Sequence, residues 1–263
     1  MKFSTDFQFI QYEVVDRIVY ITLDREEKRN ALNYDYVTEL KTAFSYAEND
    51  NKAKVIVLRA NGKAFSAGAD LSYLQELQDN TYEENLLDSN HLMELFKQIY
   101  NHPKVVIAQI EGHAIAGGCG LATVCDFSYA VPEAKFGYTE VKIGFIPAIV
   151  MVFLLRKIGE KNAKDLLLSG RLIDAEKACE LDLINKVISK DKIRETVNKF
   201  AQELITNTSG ESLKRTKQMI AKVQEMSLND GLSFAATKNA ETRDTKDCKK
   251  GVGSFLEKKE LVW

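Results

Sequence analysis

Four glycines fall within nine residues: Gly112, Gly117, Gly118 and Gly120. They follow the apolar run Val105 to Ile110, which reads as a strand buried on both faces. They precede Leu121, Ala122 and Val124, which suit a short buried helix. A strand that feeds a glycine-rich turn and then a helix aims free backbone N–H groups, and the positive helix end, at whatever sits above the turn. The chemistry on offer is stabilisation of an anion, or of an oxygen that becomes one during a reaction. The same residues also suit a close-packed strand–helix corner, where small side chains let backbones approach. Two phosphate-binding patterns are excluded. A dinucleotide fingerprint through Gly118 and Gly120 needs glycine or alanine at Thr123, and the Gly-Lys-Ser/Thr of a phosphate loop is absent. The donors therefore suit a carbonyl better than a pyrophosphate.

A second small-residue turn, Asn61 to Leu71, follows the buried strand Val55 to Leu58 and leads into a helix starting near Asp70. Two strands of one sheet, each ending in such a turn, can point two donors at one spot, an oxyanion hole in outline. Glu140 is the carboxylate to set against them. It stands among aromatic and β-branched neighbours rather than in a charge run, although a helix-start or exposed carboxylate accounts for it equally.

The elements that must hold these groups alternate. Phe7 to Val15 and Arg17 to Leu23 read as a hairpin about Asp16-Arg17. Asp24 to Asn33 reads as a polar, cationic loop. Helical spacing covers Tyr34 to Glu48 and Glu83 to Tyr100, the latter with Leu86, Leu87, Leu92, Met93, Leu95, Phe96 and Ile99 on its apolar side. Phe127 to Val131 is a further strand. Pro147 to Ile158 is apolar all round, as a core or interface helix is. Helices follow over Asn162 to Ser169, Asp174 to Glu180 and Asp191 to Leu204, with a strand at Leu183 to Val187. Glu211 to Met226, Leu228 to Glu241 and Thr245 to Glu257 are helical without strands. The order implies an α/β fold, with residues 1–190 as the core and 191–263 as a helical C-terminal segment docked to it.

Composition excludes several classes. The chain of 263 residues is 45% hydrophobic and 28% charged with a net charge of -2, so nothing favours nucleic acid or an acidic membrane surface. Cys119, Cys125, Cys179 and Cys248 lack metal-ligand spacing and read as reduced thiols of a cytoplasmic protein. His91, His102 and His113 do not cluster with carboxylates, so no metal site is expected. Met1 to Asp6 lacks the apolar core of a signal peptide, and Ile143 to Leu155 is too short to span a bilayer.

Along nearly its whole length the chain resembles the crotonase, or enoyl-CoA hydratase/isomerase, superfamily. The resemblance rests on the joint order and spacing of Arg29-Asn30-Ala31-Leu32, Phe65-Ser66-Ala67-Gly68-Ala69-Asp70, Glu111-Gly112 with Ala116-Gly117-Gly118, Cys125-Asp126, Lys135-Phe136-Gly137, Ile143 to Pro147 and Phe255 to Lys258. It implies a spiral of ββα units with helical C-terminal trimerisation elements, assembled as a homotrimer or a dimer of trimers. It implies an acyl-CoA thioester as ligand, with coenzyme A entering as part of the substrate and no separate cofactor. The thioester oxygen would sit between the N–H groups of Ala69 and Gly117, flanked by Ala67, Asp70, Gly118 and Tyr138. The nucleotide would lie near Lys28, Arg29 and Ala31. Glu140 would move the proton, its pKa raised by Phe136, Tyr138 and Ile143.

The sequence departs from the family's better-known hydratases, which carry two glutamates. The first position here is Gly120; the second is kept as Glu140. An aspartate used by other members is replaced by Ala148, and the usual glycine-rich continuation by Ala148-Ile149-Val150. In detail the chain resembles 3-hydroxy-3-methylglutaryl-type dehydratases, which share the glycine at 120 and the apolar pattern over Ile146 to Gly159. The expectation is a hydro-lyase on an enoyl or 3-hydroxyacyl thioester, including one branched at the β carbon. Two alternatives stay open: a Δ3,Δ2-enoyl-CoA isomerase, for which one carboxylate suffices, and an acyl-CoA-binding protein without activity.

Overall fold

The computed structural model describes residues 7–263; Met1 to Asp6, read above for a signal peptide, lie outside them. Strands β1 (Ile10–Val15) and β2 (Ile18–Leu23) pair antiparallel about Asp16 and Arg17. Both turn residues have positive φ, 48° and 67°, the two-residue turn whose twist matches a hairpin's. Helix α1 (Tyr34–Asn49) is capped by the Asn33 side chain and buries Val37, Leu40, Phe44 and Ala47. Strands β3 (Val55–Ala60) and β4 (Ala64–Ser66) follow, then helices α2 (Leu71–Glu76) and α3 (Tyr82–Tyr100). Next come β5 (Val105–Ile110), β6 (His113–Ile115), α4 (Gly117–Val124), β7 (Phe127–Ala130) and β8 (Lys135–Gly137). The remainder is α5 (Ala148–Ser169), β9 (Ile173–Asp174), α6 (Ala175–Glu180), β10 (Lys186–Val187), α7 (Ile193–Asn207), α8 (Gly210–Val223), α9 (Leu228–Arg243) and α10 (Lys246–Leu256).

A six-stranded sheet runs β1-β2-β3-β5-β7-β10 and a four-stranded one β4-β6-β8-β9. Each of β3, β5 and β7 is followed by a three-residue strand of the small sheet, and then by helix or turn. That is the expected spiral of ββα units. The inner strands of the large sheet are apolar runs, whereas the edge strand β1 is mostly exposed and carries Gln11 and Glu13. β2 and β5 are buried at every residue.

Three expectations need correction. The helix after the glycine turn begins at Gly117, not near Leu121, and β6 separates it from β5. Hence the two turns expected to carry donors follow β4 and β6 in the small sheet, rather than β3 and β5 in the large one. A three-residue strand is too short to show a period-2 pattern, and β6 exists through its partners Ala64, Ala114's neighbour Phe136, and Gly137. In α3 only Leu95, Phe96 and Ile99 are buried, while Leu86 and Leu87 are exposed; the helix's first half is met by polar and ring contacts, Tyr73 to Asp88 and Tyr34 to His91, rather than by an apolar face. The apolar helix α5 is split by Gly159 at φ 73°. It puts Val150, Leu154 and Ile158 in the core and leaves Met151, Val152 and Leu155 exposed.

Helix α7 packs on the large sheet through Val197, Ala201 and Ile205, with Phe200 edge-on to Phe127 and Tyr129. Helices α8 to α10 bury no residue fully. They are held by polar ties: Lys217 Nζ lies 2.7 Å from Asp126 Oδ2, and Ser209 Oγ donates to Asp247. Among the described residues no helix is long and apolar enough to cross a membrane.

Candidate active site

The three parallel strands β4, β6 and β8 are adjacent, and the chain leaving each carries one candidate group: Ala69, Gly117 and Glu140. Sequence separation is irrelevant to this meeting; strand order produces it.

At the first turn, Gly68 takes φ 89°, open to glycine and strained for others. Leu32 bridges to Ala69: its N–H donates to Gly68 O at 2.7 Å, and its carbonyl accepts from Asp70 N at 2.8 Å. A trans peptide points its C=O and N–H in opposite directions. Fixing Gly68 O therefore aims the Ala69 N–H away from Leu32, and it finds no acceptor among the described residues. At the second turn, Ala116 adopts φ 51°, ψ −125°, a strained conformation for a residue with a Cβ. Its carbonyl accepts from Gly120 N and its N–H donates to Gly137 O, so the Gly117 N–H at the head of α4 is likewise free. The turns touch: a Cβ on Gly68 would lie 2.7 Å from Ala116 Cβ and 3.2 Å from Gly117 N.

Gly118 makes this approach possible, since a Cβ there would fall 2.2 Å from Ser66 O. Gly118→Ala must push α4 off β4. The expected result is roughly 1–3 kcal/mol of lost stability, read by thermal unfolding.

Glu140 opens a single 3₁₀ turn, Glu140–Ile143. Its Oε2 is buried without a hydrogen-bond partner among the described residues. Burial pushes the carboxyl above the usual range, against a smaller lowering by its own backbone N–H. Phe136 and Tyr138 are fully buried beside this turn, whereas Ile143 is 64% exposed and does not wall the carboxylate as expected. Tyr138 is a wall rather than a polar contact, since its hydroxyl is engaged with Thr123 Oγ1 at 2.7 Å. Cys119 and Cys125 are buried, which raises their thiols to about 11 and about 12, so neither is a nucleophile.

Gly120 sits against α5. A Cβ there would lie 2.3 Å from Val150 Cγ1 and 3.2 Å from Phe96 Cε1. The place for a second carboxylate is filled with hydrocarbon.

The loop before α1 braces the first turn. Asn30, fully buried at φ 53°, accepts from Arg25 N and donates to Asn61 O and Ala64 O, and its carbonyl accepts from Ser66 Oγ. Ala67 N donates to Arg29 O, and Ala31 is buried. Lys28 and Arg29 are exposed; Lys28 Nζ reaches Ser72 Oγ at 3.3 Å. Asp70, expected at the ligand, turns inward to Arg25 and caps α2. Burial favours protonation of Asp70, but the Ser72 hydroxyl and N–H and the Arg25 guanidinium outweigh it and hold the carboxyl low. Sequence reasoning assigned no individual role to Arg25, Asn30 or Ser66: Arg25 and Asn30 stand in a polar, charged loop where neither is distinguished from its neighbours, and Ser66 is a small residue in a small-residue turn.

Residues 13–263 match the family model described as enoyl-CoA hydratase/isomerase. The chain is 42% identical over 242 residues to a Thermus thermophilus protein named provisionally as an enoyl-CoA hydratase, covering 92% of this chain and 95% of that one. It is 30% identical to the short-chain-enoyl-CoA hydratase of Clostridium acetobutylicum, covering 93% of each. The crystal structure of an enoyl-CoA hydratase from Shewanella pealeana superposes with a TM-score of 0.93 at 27% identity, covering 98% of this chain and 97% of that one.

Proposed function

Because the chain belongs to the enoyl-CoA hydratase/isomerase (crotonase) family of enzymes, we propose that it adds water across, or removes it to form, the α,β double bond of an acyl-CoA thioester, using Glu140 as its one acid–base group. The observation that carries this reading is the delivery of Ala69, Gly117 and Glu140 from the ends of three neighbouring strands. In hydration, water attacks the β carbon and gives its proton to Glu140. The π electrons move to the thioester oxygen, where the Ala69 and Gly117 N–H groups stabilise the enolate. Glu140 then returns a proton to the α carbon, so one carboxylate closes the cycle. A carboxyl with a raised pKa both accepts and releases a proton readily near neutral pH.

The pH dependence follows. Hydration needs ionised Glu140, so kcat/KM rises with pH through a limb displaced upward from the ordinary carboxylate range by burial. A pH–rate profile measured on crotonyl-CoA checks it; a limb at the ordinary carboxylate value, or none, removes Glu140 from the role.

The filled position at Gly120 equally favours a second reading, proton transfer between two carbons in a Δ3,Δ2-enoyl-CoA isomerase. Mass spectrometry of products from an acyl-CoA panel separates the two: hydration changes the mass by one water, isomerisation does not. The panel includes 3-methylglutaconyl-CoA, because the apolar sequence from Ile146 to Gly159 supports a β-branched substrate. Lys28, Arg29 and Ala31 would receive the nucleotide. Exposed apolar side chains on α5, α9 and α10, among them Met151, Leu232 and Phe255, support assembly as a homotrimer or a dimer of trimers.

A further inference from the structure

Arg25 Nη1 lies 2.9 Å from Asp70 Oδ2, with side chains 12% and 7% exposed. The same guanidinium nitrogen donates to Ala31 O at 2.9 Å, and the group sits over the Phe9 ring at 5.4 Å. The other carboxylate oxygen of Asp70 accepts from Ser72 N and Ser72 Oγ. Both oxygens are therefore occupied, and the pair is a fixed strut between the Arg25–Leu32 loop and the turn that carries Ala69. The peptide unit bearing the Ala69 N–H is held on both sides by this assembly: Leu32 N–H grips Gly68 O before it, and Leu32 O grips Asp70 N after it. Leu32 is in turn held through its neighbour Ala31, whose carbonyl is Arg25's second acceptor.

We propose that the Arg25–Asp70 ion pair is a positioning pair that sets the direction of the Ala69 N–H at the thioester oxygen. The inference rests on the reading of Ala69 as an oxyanion donor. The pair touches no reacting atom; it acts through one of the two peptides whose N–H groups meet the thioester oxygen. Breaking either end leaves a buried charge unpaired and frees the 67–70 turn to rotate.

The test uses Arg25→Met, Asp70→Asn, the double variant and Arg25→Lys in the full-length chain. Each single variant is expected to lower kcat about 30-fold, part of the roughly 10²–10³ lost when a donor is deleted, with KM within about threefold. The double variant falls no further than the worse single, because the pair acts as a unit, and Arg25→Lys recovers part of the loss. Arg59→Met is the stability control. It severs an ion pair with Glu13 at 2.6 Å and the contact over Tyr20 at 4.5 Å, on the large sheet away from the donor turns. It should lower the melting temperature while kcat stays at wild type.

A readout independent of turnover is the infrared carbonyl stretch of bound [1-13C]butyryl-CoA, a saturated thioester. In wild type the stretch shifts down on binding, and in Arg25→Met and Asp70→Asn the shift shrinks. If the variants keep the full shift, or lose kcat only in step with melting temperature as Arg59→Met does, the inference is overturned. A wild type that shows no shift has no donor at the thioester, and that outcome alone defeats the functional reading together with the inference.

Discussion

Glu140→Gln lowers kcat for the turnover of the natural enoyl thioester by about 10³-fold, within the roughly 10²–10⁴ that a positioned acid–base group contributes, and leaves KM close to its wild-type value. Gln fills the same space but can neither take a proton from water nor return one to carbon. The structure adds a second, opposite expectation for the same variant. Burial raises the Glu140 carboxyl in the folded state, so above the unfolded pKa the native protein binds more proton than the unfolded chain. Stability attributable to this group is then greatest at low pH and falls as pH rises through the folded pKa. Removing the charge relieves that cost, so Glu140→Gln melts at a higher temperature than wild type at pH 8, and the difference narrows as the pH is lowered. A site residue that trades stability for activity shows both effects together. A variant that loses stability along with activity would point instead to a structural carboxylate. Stopped assays with mass detection give the first number and thermal unfolding at several pH values the second.

The second large effect concerns the place of the missing carboxylate. Gly120→Glu alone drives its Cβ to 2.3 Å from Val150 Cγ1 and its chain against Phe96, in a helix pair with no spare volume. Overpacking costs roughly 1–3 kcal/mol, and a carboxylate buried among apolar groups adds to it. A loss of roughly 5–10 °C in melting temperature is expected for a chain of this size. Adding Val150→Gly removes the colliding methyl and restores part of that loss, while the buried carboxylate and the lost Val150 packing keep the rest. A single variant that melts like wild type would show that Val150 does not close the position. The activity of the double variant then carries information about the reaction. With two carboxylates, hydration of crotonyl-CoA has a second group to hold water. A gain above tenfold over wild type shows that the native single-carboxylate site is set for a different proton transfer, the isomerase reading. Little or no gain shows that Glu140 alone already serves hydration.

Much of the candidate site was proposed from the chain alone, and for identifiable reasons. Small residues at Gly68, Gly117 and Gly118 mark backbone approach wherever they occur, so the two glycine turns stood out. Glu140 stood out because it stands among aromatic and β-branched neighbours rather than in a charge run. The helices α1 and α3 were readable from period, since a helix declares itself within one stretch of sequence, and α5 was read as two helices, the first from an apolar run without period. The exposed half of α3 was misread for the same reason: period reports an apolar face but not whether anything covers it.

What the sequence determined by itself is therefore the family, the alternation of strands and helices, the pair of glycine turns and the reduction of the carboxylates to Glu140 with Gly120 opposite the gap. The tertiary structure decided the rest. Strands β4, β6 and β8 are three residues each and exist only through one another, so no local pattern could announce that they lie side by side and deliver the site. Val150 against Gly120, Tyr138 turned to Thr123 and Asp70 turned to Arg25 are likewise meetings of residues distant in sequence. Residue type fixes what a side chain can do; which neighbour it does it with is fixed by packing, and packing belongs to the whole chain.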